Sequence, residues 1–130
     1  MATWRELVGY LSSNYKIEQL DSETIKLLFN TGNGRSQVVL VFGVALDNPE
    51  LAHAAFFSPF AKNDQITPQQ LVAVLADSNL LGIAQVGDYY GYMNVSLLAN
   101  LDANEIEWPM NLVTDFADER ERMLGLGDDL

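Results

Sequence analysis

The 130-residue chain has no cysteine and few basic residues. Without cysteine it can form neither a disulfide framework nor a thiolate metal site. Seven lysine and arginine residues stand against 18 acidic residues, which gives a net charge of −11. Binding to a nucleic-acid backbone needs clustered basic side chains that displace counterions, whereas the basic residues here are scattered. The composition therefore argues against a nucleic-acid partner.

Recognisable catalytic motifs are missing as well. His53 is the only histidine, and it lies in an alanine-rich segment without a nucleophile motif nearby. No Gly-x-Ser-x-Gly, phosphate-binding loop or His-Glu-x-x-His pattern occurs in the sequence. Asp115, Asp118 and Glu119 lie close together on a predicted helix, but like charges on a polar face are normally solvated. We predict no catalytic residue, no cofactor and no metal site, and therefore a protein that is not an enzyme.

Long apolar runs are also missing. The longest run, residues 38–46, is far too short to span a bilayer. Residues 1–6 lack the basic and apolar regions of a secretory signal peptide. A chain of 130 residues that is 48% hydrophobic is long enough to form one domain with a core. We expect a soluble, cytoplasmic protein with no membrane partner, folded as one domain over residues 1–126 and followed by a short flexible acidic tail, 127–130.

Capping residues and apolar spacing predict three helices. Thr3, Thr67 and Asp102 each precede an apolar periodic segment, and each is followed three residues later by Glu or Gln, the pattern of a capping box. Pro109 lies inside the third helix, where its missing N–H and its ring are unfavourable. Either the helix bends at Pro109, which we favour, or a short turn precedes a helix that begins there. The expected buried face of the second helix comprises Leu71, Val72, Val74 and Leu75.

The remaining periodic segments predict six strands. Asn33-Gly34 and Gly87-Asp88 are turn signals between pairs of such segments, so the strands form antiparallel hairpins. The predicted class is α+β: an antiparallel sheet with the helices packed on one face, in the order α-β-β-β-β-α-β-β-α. The strands cover residues 15–20, 23–30, 35–46, 52–57 (ended by Pro59), 83–86 and 89–98.

The third strand is apolar on both faces. Val39 and Val41 line one face, while Leu40 and Phe42 line the other. A strand with one face in water alternates apolar with polar residues, so both faces of this strand should be covered. A chain of this size has too few helices to cover both faces, and a second subunit is the simplest cover. We therefore predict a homodimer.

Two further features suggest a surface for a protein partner. Tyr90 and Tyr92 share one face of a strand, where they either pack across strands in the core or form an interface patch. Residues 101–130 hold nine acidic residues against two arginines. This acidic segment is either a solvated face or a surface that selects basic partners. The predicted partner-binding residues are Val39, Val41, Tyr90, Tyr92, Asp118 and Glu119.

Four segments of the chain carry a family resemblance: Trp4–Leu11, Tyr15–Phe42, Leu71–Leu81 with Asn79-Leu80-Leu81, and Asp102–Leu124 with Phe116-Ala117-Asp118-Glu119. In these segments the chain resembles the YbjN-like family, which shares its fold with the class I type III secretion chaperones. The resemblance implies a small homodimeric α+β protein that binds a protein client or regulatory partner and catalyses nothing. Ser58-Pro59-Phe60 and Pro109 depart from the pattern of the secretion chaperones.

Two functions of different classes remain open. The first is a non-enzymatic, chaperone-like or regulatory protein-binding module that acts as a homodimer. The second is a small-molecule carrier, or an enzyme, with a pocket between the sheet and the helices. A dry core without convergent polar groups favours the first function, and a cavity that holds several polar side chains favours the second.

Overall fold

The computed structural model describes residues 3–32, 34–77 and 81–126. Within these ranges it contains three helices and six strands, with a 3-10 turn at Leu98–Asn100. The elements are α1 (Trp4–Asn14), β1 (Ile17–Asp21), β2 (Thr24–Gly32), β3 (Arg35–Val44), β4 (His53–Lys62), α2 (Pro68–Ala76), β5 (Gly82–Val86), β6 (Tyr89–Leu97) and α3 (Ala103–Met123). Asn33 of the predicted turn, Asn79 and Leu80 of the resemblance and the tail 127–130 lie outside the described residues.

The six strands form one antiparallel sheet in the order β1-β2-β3-β4-β6-β5. Helix α3 packs across β2, β3, β4 and β6. Leu7 and Leu11 of α1 and Val74 of α2 join the same hydrophobic core. We call the face of the sheet against the helices the inner face, and the opposite face the outer face. The predicted α+β class, the order of elements and the packing of the helices on one face are confirmed.

The local capping signals form the predicted helix starts. Thr67 and Gln70 form a reciprocal capping box at α2, and Asp102 and Glu105 form another at α3. Each box satisfies backbone N–H groups that a helix start leaves without partners. Helix α3 then continues through Pro109, so the alternative in which the helix begins at Pro109 is wrong.

Helix α2 buries less of its apolar face than the sequence predicts. Val74 is buried and Leu71 is half-buried, whereas Val72 is 64% exposed and Leu75 is also exposed. The helix has only nine residues and contacts the core along one narrow line. The prediction that Val72 and Leu75 are buried is therefore wrong.

Strand β4 continues through the proline that the sequence predicts as its end. Pro59 pairs with Gly91 of β6, and the register shifts between Pro59 and Ala61. Proline is tolerated in a strand where a bulge removes the need for its missing N–H. The Gln37 side chain donates a 2.5 Å hydrogen bond to the Pro59 carbonyl. The strand continues to Lys62 and pairs with β3 on one side and with β6 on the other, so β4 joins the β2–β3 hairpin to the β5–β6 hairpin.

Two tyrosines share one carboxylate where α1 meets α3. The hydroxyl of Tyr10 donates to Glu107 Oε1 over 3.1 Å, and that of Tyr15 donates to the same oxygen over 3.4 Å. Burial, followed by the charge of Glu107, raises the pKa of Tyr15 to about 12. Burial and the hydrogen bond to Glu107 also raise the pKa of Tyr10. Both tyrosines are thus held as neutral hydrogen-bond donors that join α1 to α3.

This arrangement predicts a loss of stability at high pH. Because the pKa of Tyr15 is raised, its stabilising contribution is complete below the ordinary value of 10.0 and is lost as the pH rises through about 12. In a spectrophotometric titration, Tyr15→Phe should remove the tyrosinate signal that develops near pH 12. Glu107→Gln should lower the pKa of Tyr15 without returning it fully to its ordinary value, because burial is the larger cause. Glu119→Gln, on the exposed side of α3, is the control, and an identical titration of Glu107→Gln and wild type would contradict the assignment.

Candidate functional site

Two of the predicted partner-binding residues lie in the core of the single chain. Val39 and Val41 are fully buried on the inner face of β3, and α3 packs across this strand. A side chain that is covered by its own helix cannot contact a partner in this conformation. The prediction that Val39 and Val41 bind a partner is corrected: the face of β3 that remains accessible carries Val38, Leu40 and Phe42.

The predicted tyrosine patch is also mostly internal. Tyr92 is 1% exposed, with its ring centroid 5.3 Å from that of Phe60 and 5.6 Å from that of Phe116. Its hydroxyl accepts a 3.2 Å hydrogen bond from Arg120 Nε. Tyr90 is half-buried and packs against the same core. Packing within the chain, the first of the two alternatives, describes Tyr92, and its assignment to an exposed interface patch is corrected.

Asp118 belongs to a buried ion-pair network rather than to a solvated helix face. Its carboxylate lies 2.7 Å from Arg35 Nε, and the carboxylate of Glu121 lies 3.2 Å from Arg35 Nη2. Asp118 and Glu121 are both buried, so the expectation that Asp118 is accessible to a basic partner is corrected. Glu119 is exposed, and its carboxylate lies 3.5 Å from Arg122. Sequence reasoning missed Arg35, because it comes from a strand 83 residues before Asp118.

Only Tyr92 and Glu119 of the predicted residues meet at a described cavity. They line a small pocket of about 160 Å³ near the end of α3. The Arg120 guanidinium crosses it, 3.9 Å from the Asp77 carboxylate and 3.2 Å from the Tyr92 hydroxyl. Arg120 pairs with Asp77 inside this pocket and Glu119 pairs with Arg122 outside it, so the pocket offers little to a ligand. The other lining residues are Asp77, Phe116, Arg120 and Met123.

The outer face of the sheet is apolar and curled. Strand register places Leu40, Phe57 and Met93 side by side on this face, across β3, β4 and β6. Leu20 of β1 and Val86 of β5 line one cavity of about 240 Å³, together with Phe57, although β1 and β5 are the two edges of the sheet. The sheet therefore curves until its edges approach each other over the central strands. This curvature buries Phe57 to 1% exposure without a helix or a second chain.

The rim of the outer face remains uncovered. Leu28, which pairs with Val38, is 65% exposed, more than any other large apolar side chain among the described residues. Other large apolar side chains on this face are also exposed: Leu20, Val44 and Val95. Water in contact with such a surface is unfavourable, and large apolar patches on soluble proteins typically mark binding sites. The chain's own curvature thus covers the centre of the outer face and leaves its rim open.

Charge divides between the two sides of the molecule. All three lysines lie on the outer face: Lys26 pairs across strands with Glu18, Lys62 pairs with Tyr89, and Lys16 lines a cavity of about 480 Å³ with Lys26. Asp21 and Glu23 line a neighbouring cavity on the same face, beside Leu40 and Phe42. These charges nearly balance, in a chain with a net charge of −11. The excess of acidic groups lies elsewhere, much of it on α3.

A second concave region lies between β6 and the first turns of α3. It has a volume of about 600 Å³, within the range of ligand pockets. Trp108, 59% exposed, forms part of its wall. Sequence reasoning did not single out this residue. Its position in the predicted third helix, three residues after the capping residue Glu105, could have indicated it. We call this region the Trp108 cleft; its lining residues are His53, Asn94, Val95, Ser96, Leu97, Asn100, Leu101, Asn104, Glu105, Trp108 and Pro109.

The part of the chain that the structure describes contains no cluster of three or more His, Asp or Glu residues that could hold a metal ion. His53 contacts the Leu51 carbonyl through Nδ1. None of the described helices combines the length and the apolar character that crossing a bilayer requires. No family model, no curated protein and no solved structure matches the chain.

Proposed function

We propose that the chain is a non-enzymatic, chaperone-like protein-binding module that acts as a homodimer through the outer face of its sheet. The observation that carries this proposal is the exposed apolar rim of the outer face, with Leu28 at 65% exposure. The resemblance to the YbjN-like family supports it, since that resemblance also implies a homodimeric protein that binds other proteins. A client or regulatory partner would then bind to the dimer.

The charge distribution favours a second copy as the occupant of the outer face. Two chains with a net charge of −11 repel each other through their acidic helices. On the outer face, however, lysines and carboxylates nearly balance, and cross-strand pairs such as Lys26 with Glu18 are available there. A stable dimer typically buries about 1,600 Å² in total. The exposed rim residues of the outer face would form the core of this interface, since the centre of the face is covered within the chain.

The proposal predicts that a charge on the rim abolishes the dimer. In sedimentation equilibrium at micromolar concentration, wild type should be a dimer and Leu28→Glu a monomer, because a carboxylate would be buried without a partner. Val72→Glu is the matched control: Val72 on α2 has nearly the same exposure, 64%, but lies on the helical side. Circular dichroism spectra of both variants should match wild type, since neither side chain is buried in the single chain.

Two results would contradict the proposal. A wild-type chain that is monomeric at micromolar concentration would contradict the proposed homodimer. A dimer that is lost in Val72→Glu and kept in Leu28→Glu would move the interface from the outer face to α2.

The Trp108 cleft favours the second function, a small-molecule carrier or an enzyme. It is a cavity between sheet and helix that holds several polar side chains: His53, Asn94, Ser96, Asn100, Asn104 and Glu105. Its titratable side chains among the described residues are Glu105, whose Oε2 is engaged in the capping box, and His53, whose Nδ1 contacts the Leu51 carbonyl, and neither is hydrogen-bonded to a described hydroxyl that could act as a nucleophile. This cleft therefore supports binding better than catalysis.

A further inference from the structure

The Trp108 cleft is rich in hydrogen-bond acceptors and poor in cations. Glu105 carries a carboxylate, and three asparagines each carry an amide oxygen. No lysine or arginine is among the described residues that line it. A negatively charged ligand would meet Glu105 without a compensating cation, so the cleft suits a ligand that brings a positive charge and several N–H donors.

The carboxylate of Glu105 is held in place with one oxygen still available. Its Oε2 accepts a 3.1 Å hydrogen bond from the backbone N–H of Asp102, as part of the capping box. Its Oε1 makes no hydrogen bond with any other described residue. The capping box therefore orients a charged acceptor before any ligand binds, which reduces the entropy cost of binding.

Pro109 affects a second acceptor, the backbone carbonyl of Glu105. Proline has no N–H, so the carbonyl of Glu105, four residues earlier in α3, lacks the donor that a helix normally provides. Both residues line the cleft. Pro109 thus removes the usual i+4 donor to a backbone oxygen of the residue whose carboxylate lines the cleft.

Trp108 provides an apolar surface beside these acceptors. It lies three residues after Glu105, so the two side chains are neighbours on the surface of α3. An arginine guanidinium stacks on an indole and at the same time donates several hydrogen bonds in its plane. A carboxylate and an indole that line one cleft match that group better than they match the smaller, strongly hydrated ammonium of lysine.

The cleft also lies along the end of β6, which pairs with β4 on one side and with none of the described strands on the other. β5 pairs with β6 only as far as Gly82 with Met93, while β6 continues to Leu97. Val95 and Leu97 of this end line the cleft. An extended polypeptide can pair with such an edge and place its side chains into the adjacent cleft.

We propose that the Trp108 cleft binds an arginine side chain on an extended segment of a partner protein, with the guanidinium between Trp108 and Glu105. This inference rests on the proposed function as a protein-binding module and adds the site and the chemistry of the client. Val95 borders both the cleft and the rim of the outer face, whereas Leu28, the residue chosen to test the dimer, does not line the cleft.

The test uses a capped peptide, Thr-Val-Thr-Arg-Thr-Val-Thr, and an otherwise identical peptide with citrulline in place of arginine. Citrulline keeps the shape of arginine and removes its charge. Isothermal titration should show binding of the arginine peptide and at least about tenfold weaker binding of the citrulline peptide, the equivalent of one charge-assisted hydrogen bond. Trp108→Ala should weaken binding of the arginine peptide by about tenfold or more, whereas Trp4→Phe, in α1, should leave it unchanged.

Pro109→Ala tests whether the backbone carbonyl of Glu105 takes part in peptide binding. It restores the donor to the Glu105 carbonyl, so we expect several-fold weaker peptide binding while the helix itself is retained. Circular dichroism of each variant verifies that the fold is intact. Leu28→Glu should bind the arginine peptide like wild type even as a monomer, which keeps this test independent of the dimer.

Four results would overturn the proposal. Equal affinity for the arginine and citrulline peptides would exclude recognition of the cation. Binding that Trp108→Ala leaves unchanged, or no binding of the arginine peptide at all, would exclude the cleft as its site. Binding of N-acetyl-arginine amide as tight as that of the peptide would identify a site for a small guanidine instead of a protein segment.

Discussion

Replacement of Arg35 with methionine is expected to lower the free energy of unfolding by about 3–5 kcal/mol, the cost of breaking a buried ion pair. Arg35 holds the carboxylates of Asp118 and Glu121 at 2.7 Å and 3.2 Å, and the Glu121 side chain is only 1% exposed. Without the guanidinium, two negative charges remain close together and largely out of water. Urea unfolding monitored by circular dichroism measures the effect.

Two controls separate the network from charge alone. Arg122→Met removes an exposed pair with Glu119 and should cost no more than about 1 kcal/mol. Replacing the whole network, with Arg35→Met, Asp118→Leu and Glu121→Met together, should recover most of the stability, since apolar replacements of buried ion pairs are often neutral or stabilising. A loss of less than about 1 kcal/mol for Arg35→Met, the value of a surface ion pair, would show that the carboxylates are solvated.

Replacement of Gly91 with alanine is expected to lower the free energy of unfolding by about 3 kcal/mol, at the upper end of the cost of overpacking. An added Cβ would meet the Ser58 carbonyl oxygen and would lie 2.5 Å from the Phe57 ring. The carbonyl belongs to the neighbouring strand and cannot move without disturbing the ladder, and the ring is buried on the outer face. Gly91 thus provides the space in which Phe57 packs.

Gly9→Ala is the matched control. Gly9 is exposed in α1, and nothing lies within 4 Å of a Cβ added there. In a helix, alanine is favoured over glycine by about 1 kcal/mol, so this variant should be slightly more stable than wild type. Similar changes in the denaturation midpoints of Gly91→Ala and Gly9→Ala would contradict the tight approach of Phe57 to β6.

The Phe57 packing also bears on the proposed dimer. The doubly apolar third strand suggests that a second chain must cover its far face, yet curvature of the sheet covers the centre of that face within one chain. What a partner can still cover is the rim, at residues such as Leu28 and Val95. The dimer therefore depends on a narrower set of residues than the sequence predicts, and Leu28→Glu tests that set directly.

The sequence alone determined the elements, their order and the helix starts, because these depend on interactions between residues a few positions apart. The capping boxes at Thr67 and Asp102 form as predicted, and so does the antiparallel sheet. The local preference of proline to end a strand or a helix is overridden at two positions. Pro59 lies inside a strand because a bulge accommodates it, and Pro109 lies inside a helix that its surroundings support.

Only the tertiary structure decided which side chains are buried and which meet at a site. Asp118 has the sequence context of a solvated helix residue, and it is buried because Arg35 reaches it from a distant strand. The sequence leaves Tyr92 either in the core or in an interface patch, and the packing of α3 against β6 places it in the core. The Trp108 cleft combines Glu105 and Trp108, whose spacing is visible in the sequence, with Asn94 and Leu97 of β6, whose proximity is not. Contacts between residues far apart in the chain depend on the relative placement of whole elements, and the spacing of residues within one element carries no information about that placement.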